Sequence, residues 1–318
     1  MRMLVALLAG AAALLLAAAS YQGGEQPTLR MAHSSNVAHA IPIVGSSLGL
    51  YGDAQTRVFD SGPQAIEAML AGSIDAAYVG PGPAVNGHIN SGGRIQVLAG
   101  AATGGASFVA APGAGISGIA DLGGTRIGAP QIGNTQDVSL RDSLAAHGLA
   151  PAELGGTVVV HNVPYPDIYS LFTTGRIDGA WVAEPWATLL VDAGGERIFR
   201  EEEVWPGGGF ASAVLVVDAG YAGRNPGAVE DLLASHAEAA GRIAGDPEGA
   251  RDIINGFLGS YLGRPLPDRV LDEALGNVVI TAEADEGMVL EFAEKAGRLG
   301  YLGRHAYDLS GLFYGAGG

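Results

Sequence analysis

The chain repeats itself. Gly72-Ser73-Ile74-Asp75-Ala76-Ala77-Tyr78-Val79-Gly80-Pro81 and Gly175-Arg176-Ile177-Asp178-Gly179-Ala180-Trp181-Val182-Ala183-Glu184-Pro185 begin 103 residues apart. Glycine, isoleucine, aspartate, alanine, an aromatic and valine recur in step, and proline follows in both. Upstream, Ile66, Met69 and Leu70 have the i, i+3, i+4 spacing of one helix face, and Ile168, Leu171 and Phe172 repeat it. Each predicted helix stops at a glycine, the residue that best takes a left-handed cap. The likeness extends further back. Strands are predicted over Leu29–Ala32 and Arg126–Ala129. A polar loop and a helix follow each, near His39–Leu50 and Thr135–His147. Further strands come at Thr56–Phe59 and Val158–Val160. Strand–helix–strand–helix–strand occurring twice predicts two βαβ lobes, each built on a parallel sheet covered by helices.

Ligands of open α/β sheets bind beyond the carboxyl ends of the strands. Two such lobes facing one another enclose a cleft between their loops. The expected division is lobe 1 over residues 28–111 and lobe 2 over 112–210. A return strand and C-terminal helices, residues 211–318, are expected to pack on lobe 1. Ser107–Ala110 is expected to lead out of lobe 1 through Pro112–Gly118, and Phe210–Val217 to lead back, giving a two-strand hinge. In the C-terminal part Val289, Phe292, Ala293 and Ala296 share a helix face.

Residues 1–20 read as a secretory leader. Arg2 is the positive start, Leu4–Leu16 is apolar apart from Gly10, and Ala17-Ala18-Ala19 is of the cleavage type. The apolar run is short for a membrane span, which needs about 20 residues. The chain has no cysteine, so disulfides, thiolate metal sites, cysteine nucleophiles and a lipid-anchoring cysteine are excluded. A periplasmic or extracellular location is expected. Charged residues make up only 16% of the chain, yet 33 acids against 17 bases leave a formal net charge of −16. That balance, with no Lys/Arg run, argues against nucleic-acid partners.

Several motifs invite chemical readings that their context denies. Gly45-Ser46-Ser47-Leu48-Gly49 fits the serine-hydrolase elbow, but it lies in or near the end of a helix instead of at a strand–helix turn. Gly113-Ala114-Gly115-Ile116-Ser117-Gly118 fits the dinucleotide fingerprint, but no full helix follows it. It reads instead as an inter-lobe linker. The seven histidines form no metal-ligand array. No cofactor, metal or catalytic residue is assigned.

The candidate ligand residues sit at the loops that follow strands. Ser34-Ser35-Asn36 precedes the first helix, with His39 just inside it; Asn134-Thr135-Gln136-Asp137 holds the equivalent place in lobe 2. Such residues cap helices, and helix starts offer free N–H groups to an anion. Thr103-Gly104-Gly105 is read as a third loop, and Gly80-Pro81-Gly82 as the end of the lobe 1 repeat strand. Glu184 and Trp186 end the matching strand of lobe 2, where Glu184 is read as an acceptor for a ligand amine or hydroxyl. Tyr165, Trp186 and Trp205 are candidate aromatic walls. Thr135→Ala and Gly105→Val are expected to weaken binding with little loss of fold.

These residues resemble a known family. Asn36-Val37-Ala38-His39-Ala40, Ile74–Gly80 with Pro83, Thr103–Ala106, Asp121-Leu122-Gly123-Gly124 with Ile127-Gly128, Gly133–Val138 and Ala180–Pro185 are similar to ABC-transporter substrate-binding proteins of the nitrate/sulfonate/taurine type. The resemblance spans roughly residues 29–190. It implies a type II periplasmic-binding fold, a cleft that closes on its ligand, and docking of the closed form onto a permease with its ATPase. It does not fix the ligand; a small organic anion and a monomeric protein are expected. Two departures stand out: the missing anchor cysteine, and the scarcity of positive residues near the site loops. The resemblance leaves open an enzyme on the same fold, of the pyrimidine- or menaquinone-pathway type, and a sensor module that presents its ligand to a receptor.

Overall fold

A computed structural model describes residues 28–205, 207–303 and 307–315. The leader reading and His305 lie outside the described residues. Two mixed sheets carry the fold, and the repeat generates both. In lobe 1, β1 (Arg30–His33) pairs in parallel with β2 (Gln55–Val58) and β3 (Ala76–Val79). In lobe 2, β6 (Arg126–Ala129) pairs in parallel with β7 (Val159–Asn162) and β8 (Gly179–Ala183). Met31 lies opposite Ala76, and Ile127 opposite Gly179, so the two lobes share the same sheet register.

Each sheet is completed by antiparallel strands. β4 (Ile95–Gly104), β10 (Ala211–Asp218) and β11 (Val278–Ile280) extend the first to the order β11-β4-β10-β3-β1-β2. β5 (Ala106–Ala110) and β9 (Glu196–Arg200) extend the second to β7-β6-β8-β5-β9. β3, β5 and β8 are buried throughout, as strands covered on both faces must be, and their sequences are continuous apolar runs.

The helices follow the strands. Lobe 1 holds α1 (Ala40–Ser47), α2 (Gly62–Leu70) and α3 (Pro81–Asn90); lobe 2 holds α4 (Thr135–Ala146), α5 (Tyr165–Thr173) and α6 (Trp186–Asp192). The Gly45–Gly49 motif closes α1, and Gly113–Gly118 runs into a short 3-10 turn, so neither meets its chemical context. After β10 come α7 (Ala219–Arg224), α8 (Pro226–Gly245), α9 (Pro247–Leu262), α10 (Asp268–Gly276) and α11 (Glu286–Arg298). Among the described residues no helix is long and apolar enough to cross a membrane.

Two expectations change. Ser107–Ala110 does not lead out of lobe 1; it pairs with β8 and β9 inside the second sheet. The first crossover is therefore Gly104-Gly105, both at positive φ (71° and 78°), and Gly113–Gly118 lies within lobe 2, not between lobes. The run Ile95–Ala102, with Thr103 and Gly104, is one ten-residue strand paired along β10. Nor do the C-terminal helices rest on lobe 1 alone. α8 and α9 pack on α1, α10 on α6, and α11 lies between α3 and α4. Val289, Phe292, Ala293 and Ala296 form its fully buried face.

The repeated aspartate has a structural task. Asp75 accepts from Arg30 Nε at 2.8 Å, Arg30 Nη2 at 2.6 Å and the Arg30 backbone N–H at 3.0 Å. Asp178 accepts from Arg126 Nε at 3.0 Å, Nη2 at 2.7 Å and the backbone N–H at 2.8 Å. Each arginine also donates to the carbonyl of the glycine that opens the repeat, Gly72 or Gly175. The pair fixes where the central strand starts relative to its neighbour. Removing one partner of a charged, hydrogen-bonded pair costs more as burial rises. The Asp75 side chain is 9% exposed and that of Asp178 28%. Asp75→Ala is expected to lose about 2 kcal/mol in urea unfolding and Asp178→Ala about 1 kcal/mol; equal losses would contradict the burial argument.

Candidate ligand-binding site

The carboxyl ends of β1, β3, β6 and β8 point at one place between the lobes, where a cavity of about 30 Å³ is lined by loops from both. Lobe 1 contributes Ser34, Asn36, His39, Asp60, Ser61, Gly80 and Ser212; lobe 2 contributes Asn134, Thr135, Gln136, Tyr165 and Ala183. A second chamber of about 190 Å³ shares Asp60, Ser61 and Tyr165 with the first and adds Gln64, Gln131 and Asn162. The inner cavity has room for a few atoms beyond a single water, which needs about 10–15 Å³ on this measure.

Three buried polar atoms that line the inner cavity have no partner: Asn36 Oδ1, Thr135 Oγ1 and Ser212 Oγ. Buried polar atoms are normally hydrogen-bonded. Thr135 is the first residue of α4, and Asn134, its cap, makes no side-chain cap bond. The first N–H groups of a helix have no partner within it, and a partial positive charge gathers there. In this twelve-residue helix they face the cavity rim.

His39 supplies a further donor. Its Nδ1 accepts from the Ser34 N–H at 2.9 Å, so the neutral ring carries its proton on Nε2. Burial, and then the neighbouring His33, hold its pKa down at about 3. It stays uncharged at neutral pH. Among the described residues no lysine or arginine lines either chamber. The site therefore offers neutral donors, with one carboxylate, Asp60, at the mouth.

Gly80 sets how near the lobes come. A Cβ there would collide with the Thr135 hydroxyl. Across the same seam the Ser61 hydroxyl donates to the Gln131 side chain, and Val37 N–H donates to the Glu184 carbonyl at 3.3 Å. Tyr165 forms a wall of both chambers, with Trp186 stacked behind it at 5.9 Å and 8°.

Ser34, Asn36, His39, Gly80, Asn134, Thr135 and Gln136 thus come together around one cavity. The other expected ligand residues do not line it. Ser35 lies in the same loop, and Pro81 and Gly82 begin α3, with Gly82 against Phe292 and the Gly133 carbonyl. Asp137 is wholly buried and accepts from Arg141 Nε, Asn162 Nδ2, Tyr301 OH (each 2.8 Å) and Gly133 N–H. It holds α4 in place from behind. Glu184 is equally buried, accepting from Thr188, Arg197 Nη1 at 3.0 Å and Asn277 Nδ2 at 2.8 Å. Its carboxylate ties lobe 2 to the segment before β11 and has no reach to spare for a ligand.

Thr103, Gly104 and Gly105 belong to the crossover. A side chain at Gly105 would need positive φ and would strike Val278, so Gly105→Val disrupts the fold, contrary to the expectation above. Trp205 walls no cleft; it stacks on Phe210 and Phe292 in the core. Ser61, Asp60 and Ser212 are site residues that the repeat did not flag. Asp60-Ser61 follows the strand predicted at Thr56–Phe59, a position that points to the cleft by the same rule as Ser34–Asn36.

A larger hollow of about 640 Å³ lies at the opposite edge of lobe 1, where the strands begin. Asp53, Asp231 and Glu238 line it, so it repels anions. Among the described residues no three His, Asp or Glu side chains converge as a metal site.

Residues 22–257 match the model of the NMT1-like family. A Brucella abortus (strain 2308) protein, named only provisionally as a binding protein, is 30% identical over 225 residues, covering 69% of this chain and 67% of its own. The chain belongs to the NMT1-like family. Solved structures share its fold. The alkanesulfonate-binding protein SsuA from Xanthomonas axonopodis pv. citri, bound to MOPS, superposes with TM-score 0.71 at 19% identity, covering 88% of this chain and 94% of its own. The periplasmic nitrate-binding protein NrtA from Synechocystis PCC 6803 gives 0.69 at 18%, covering 87% and 82%. A mutant of DszB in complex with biphenyl-2-sulfinic acid gives 0.61 at 15%, covering 90% and 96%. The expected bilobed, periplasmic-binding type of fold therefore stands for this NMT1-like protein.

Gly80 tests the closed cleft. Its φ of −68° suits alanine, so Gly80→Ala leaves each lobe intact. The added methyl either stops closure or turns the Thr135 hydroxyl out of the cavity. Overpacking of this kind costs about 1–3 kcal/mol, a loss of about 5-fold to 150-fold in affinity by calorimetry, with an unchanged urea midpoint. Wild-type affinity in this variant would contradict the site.

Proposed function

We propose that this protein is the extracytoplasmic solute-binding component of an ABC importer, which captures a small organic anion of sulfonate-like or nitrate-like kind by lobe closure and hands it to a membrane permease. One observation carries the reading: Asn36, Thr135 and Ser212 turn partnerless buried polar atoms toward a single inter-lobe cavity at the bare start of α4. An acceptor-rich head accepts hydrogen bonds from Thr135 and Ser212, from the α4 amides and from His39 Nε2. Neutral donors at helix starts suffice to hold an anion. The Asn36 oxygen is an acceptor as oriented, and turning the amide presents its NH₂ instead.

Closure follows from affinity for both lobes at once. A ligand that touches residues of lobe 1 and lobe 2 together binds the closed state better and shifts the population toward it. The net charge of −16 does not oppose this, because exposed charges are screened beyond about 8 Å at physiological salt. Family membership and the SsuA and NrtA folds support transport over catalysis. The titratable side chains at the inner cavity are His39, Asp60 and Tyr165. His39 is held neutral and Asp60 stands at the mouth, which is a poor acid–base pair.

A thermal-shift screen tests the reading. Taurine, alkanesulfonates, sulfate esters, nitrate and bicarbonate are compared with neutral and cationic controls. At 100 times its Kd a ligand adds about 2.7 kcal/mol, a rise of about 5 °C for a chain of this size. A rise confined to anions is the expected result. A rise with neutral or cationic compounds alone would overturn the choice of ligand.

A further inference from the structure

Glu201 is a carboxyl group with no task in ligand binding, and its surroundings are unusual. It lies on the segment that carries the chain back from lobe 2 to lobe 1 and is fully buried. Its Oε2 accepts from Trp181 Nε1 at 2.8 Å. Its Oε1 accepts from the Ser139 hydroxyl and, at 3.4 Å, from Trp205 Nε1. Trp181 stands on β8 and Ser139 on α4, both in lobe 2. Trp205 packs against Phe292 of α11 in a core cluster that takes residues from both lobes, among them Val79 and Val214 of lobe 1 and Val138 and Ala183 of lobe 2. The carboxyl group therefore sits on the seam along which the lobes meet, one helix turn from Thr135.

Among the described residues no cation touches it. Lys295 of α11 lies 3.9 Å over the Trp205 ring and pairs with Asp142 of α4 at 3.5 Å. Tyr165 of α5, the cleft wall, feels the Glu201 charge, which together with burial raises its hydroxyl pKa. Glu202 and Glu203 follow on the same segment.

We propose that Glu201 is a positioning residue that links lobe closure to proton uptake: the protonated carboxyl fits the closed seam, and the ionised one favours open lobes. This rests on the closure reading given above. A neutral carboxyl donates its O–H to Ser139 and keeps its other oxygen for Trp181. An ionised one is buried without a cation in contact, which is costly, and opening the seam hydrates it. Burial pushes its pKa up to about 7, against the pull of Ser139, the two indoles and Lys295. A group whose pKa is higher in the closed state favours closure as pH falls through that value. Once the carboxyl is protonated in both states the effect levels off. The His39 and His236 rings, held down at about 3 and about 4, do not titrate in this window.

The chain has no cysteine, so Leu48→Cys on lobe 1 and Leu154→Cys on lobe 2, 46% and 70% exposed, take spin labels cleanly. Inter-lobe distances are measured by pulsed electron resonance on the full chain at pH 8 and pH 6. The wild-type closed-to-open ratio is expected to rise about tenfold at pH 6. Glu201→Gln is expected to hold the larger ratio at both values. Ser139→Ala, which removes a donor to the carboxylate, is expected to move the transition to higher pH. A ratio indifferent to pH in the wild type, or a pH response retained in Glu201→Gln, would overturn the role of Glu201. One unchanging distance in every sample would overturn closure itself, and the proton link with it.

Discussion

In each lobe a bidentate arginine–aspartate pair ties the start of the central parallel strand to the turn that launches its neighbour. Arg30–Asp75 and Arg126–Asp178 do this in nearly the same geometry. Because the strand starts are fixed, so are their carboxyl ends, and these ends carry the cleft loops. Ser34–Asn36 follows β1, Gly80 follows β3, Asn134–Gln136 follows β6, and Glu184 follows β8. The positions of the candidate binding groups are thus consequences of sheet register.

A second tier of buried carboxylates orients what the register delivers. Asp137 fixes α4 from behind, through Arg141, Asn162 and Tyr301. Glu184 joins lobe 2 to the strand segment that returns to lobe 1. Glu201 sits where Trp181 of lobe 2 meets Trp205 of the segment that leaves it. Asp137 and Glu184 are satisfied inside the protein, so the cleft is left with neutral donors. That division of labour suits reversible capture: hydrogen bonds hold an anion well enough to close on it, without a buried ion pair to break on release.

The repeat made the two lobes and the helix starts legible, because Ile-Asp steps and i, i+3, i+4 spacing report local geometry directly. What failed was direction. Asp137 and Glu184 stand at the right sequence positions, but their side chains turn into the protein. The signals were Arg141 and Thr188, each four residues on, where a helical neighbour reaches back. Thr103–Gly105 looked like a ligand loop because small residues and paired glycines mark loops, whereas here Gly104 and Gly105, at positive φ, let the chain cross between lobes. Ser212 could not be found by any local pattern; only the pairing of distant strands brings it to the cavity.

The central claim is that the head of the ligand lies between the start of α4 and the Asn36–His39 loop. Anomalous diffraction from crystals grown with 2-bromoethanesulfonate tests it most directly. The account predicts the sulfonate on the Thr135 and Gln136 amides, and a bromine peak in the outer chamber beside Tyr165. A peak in the acidic hollow beside Asp53, with nothing at Thr135, would contradict it.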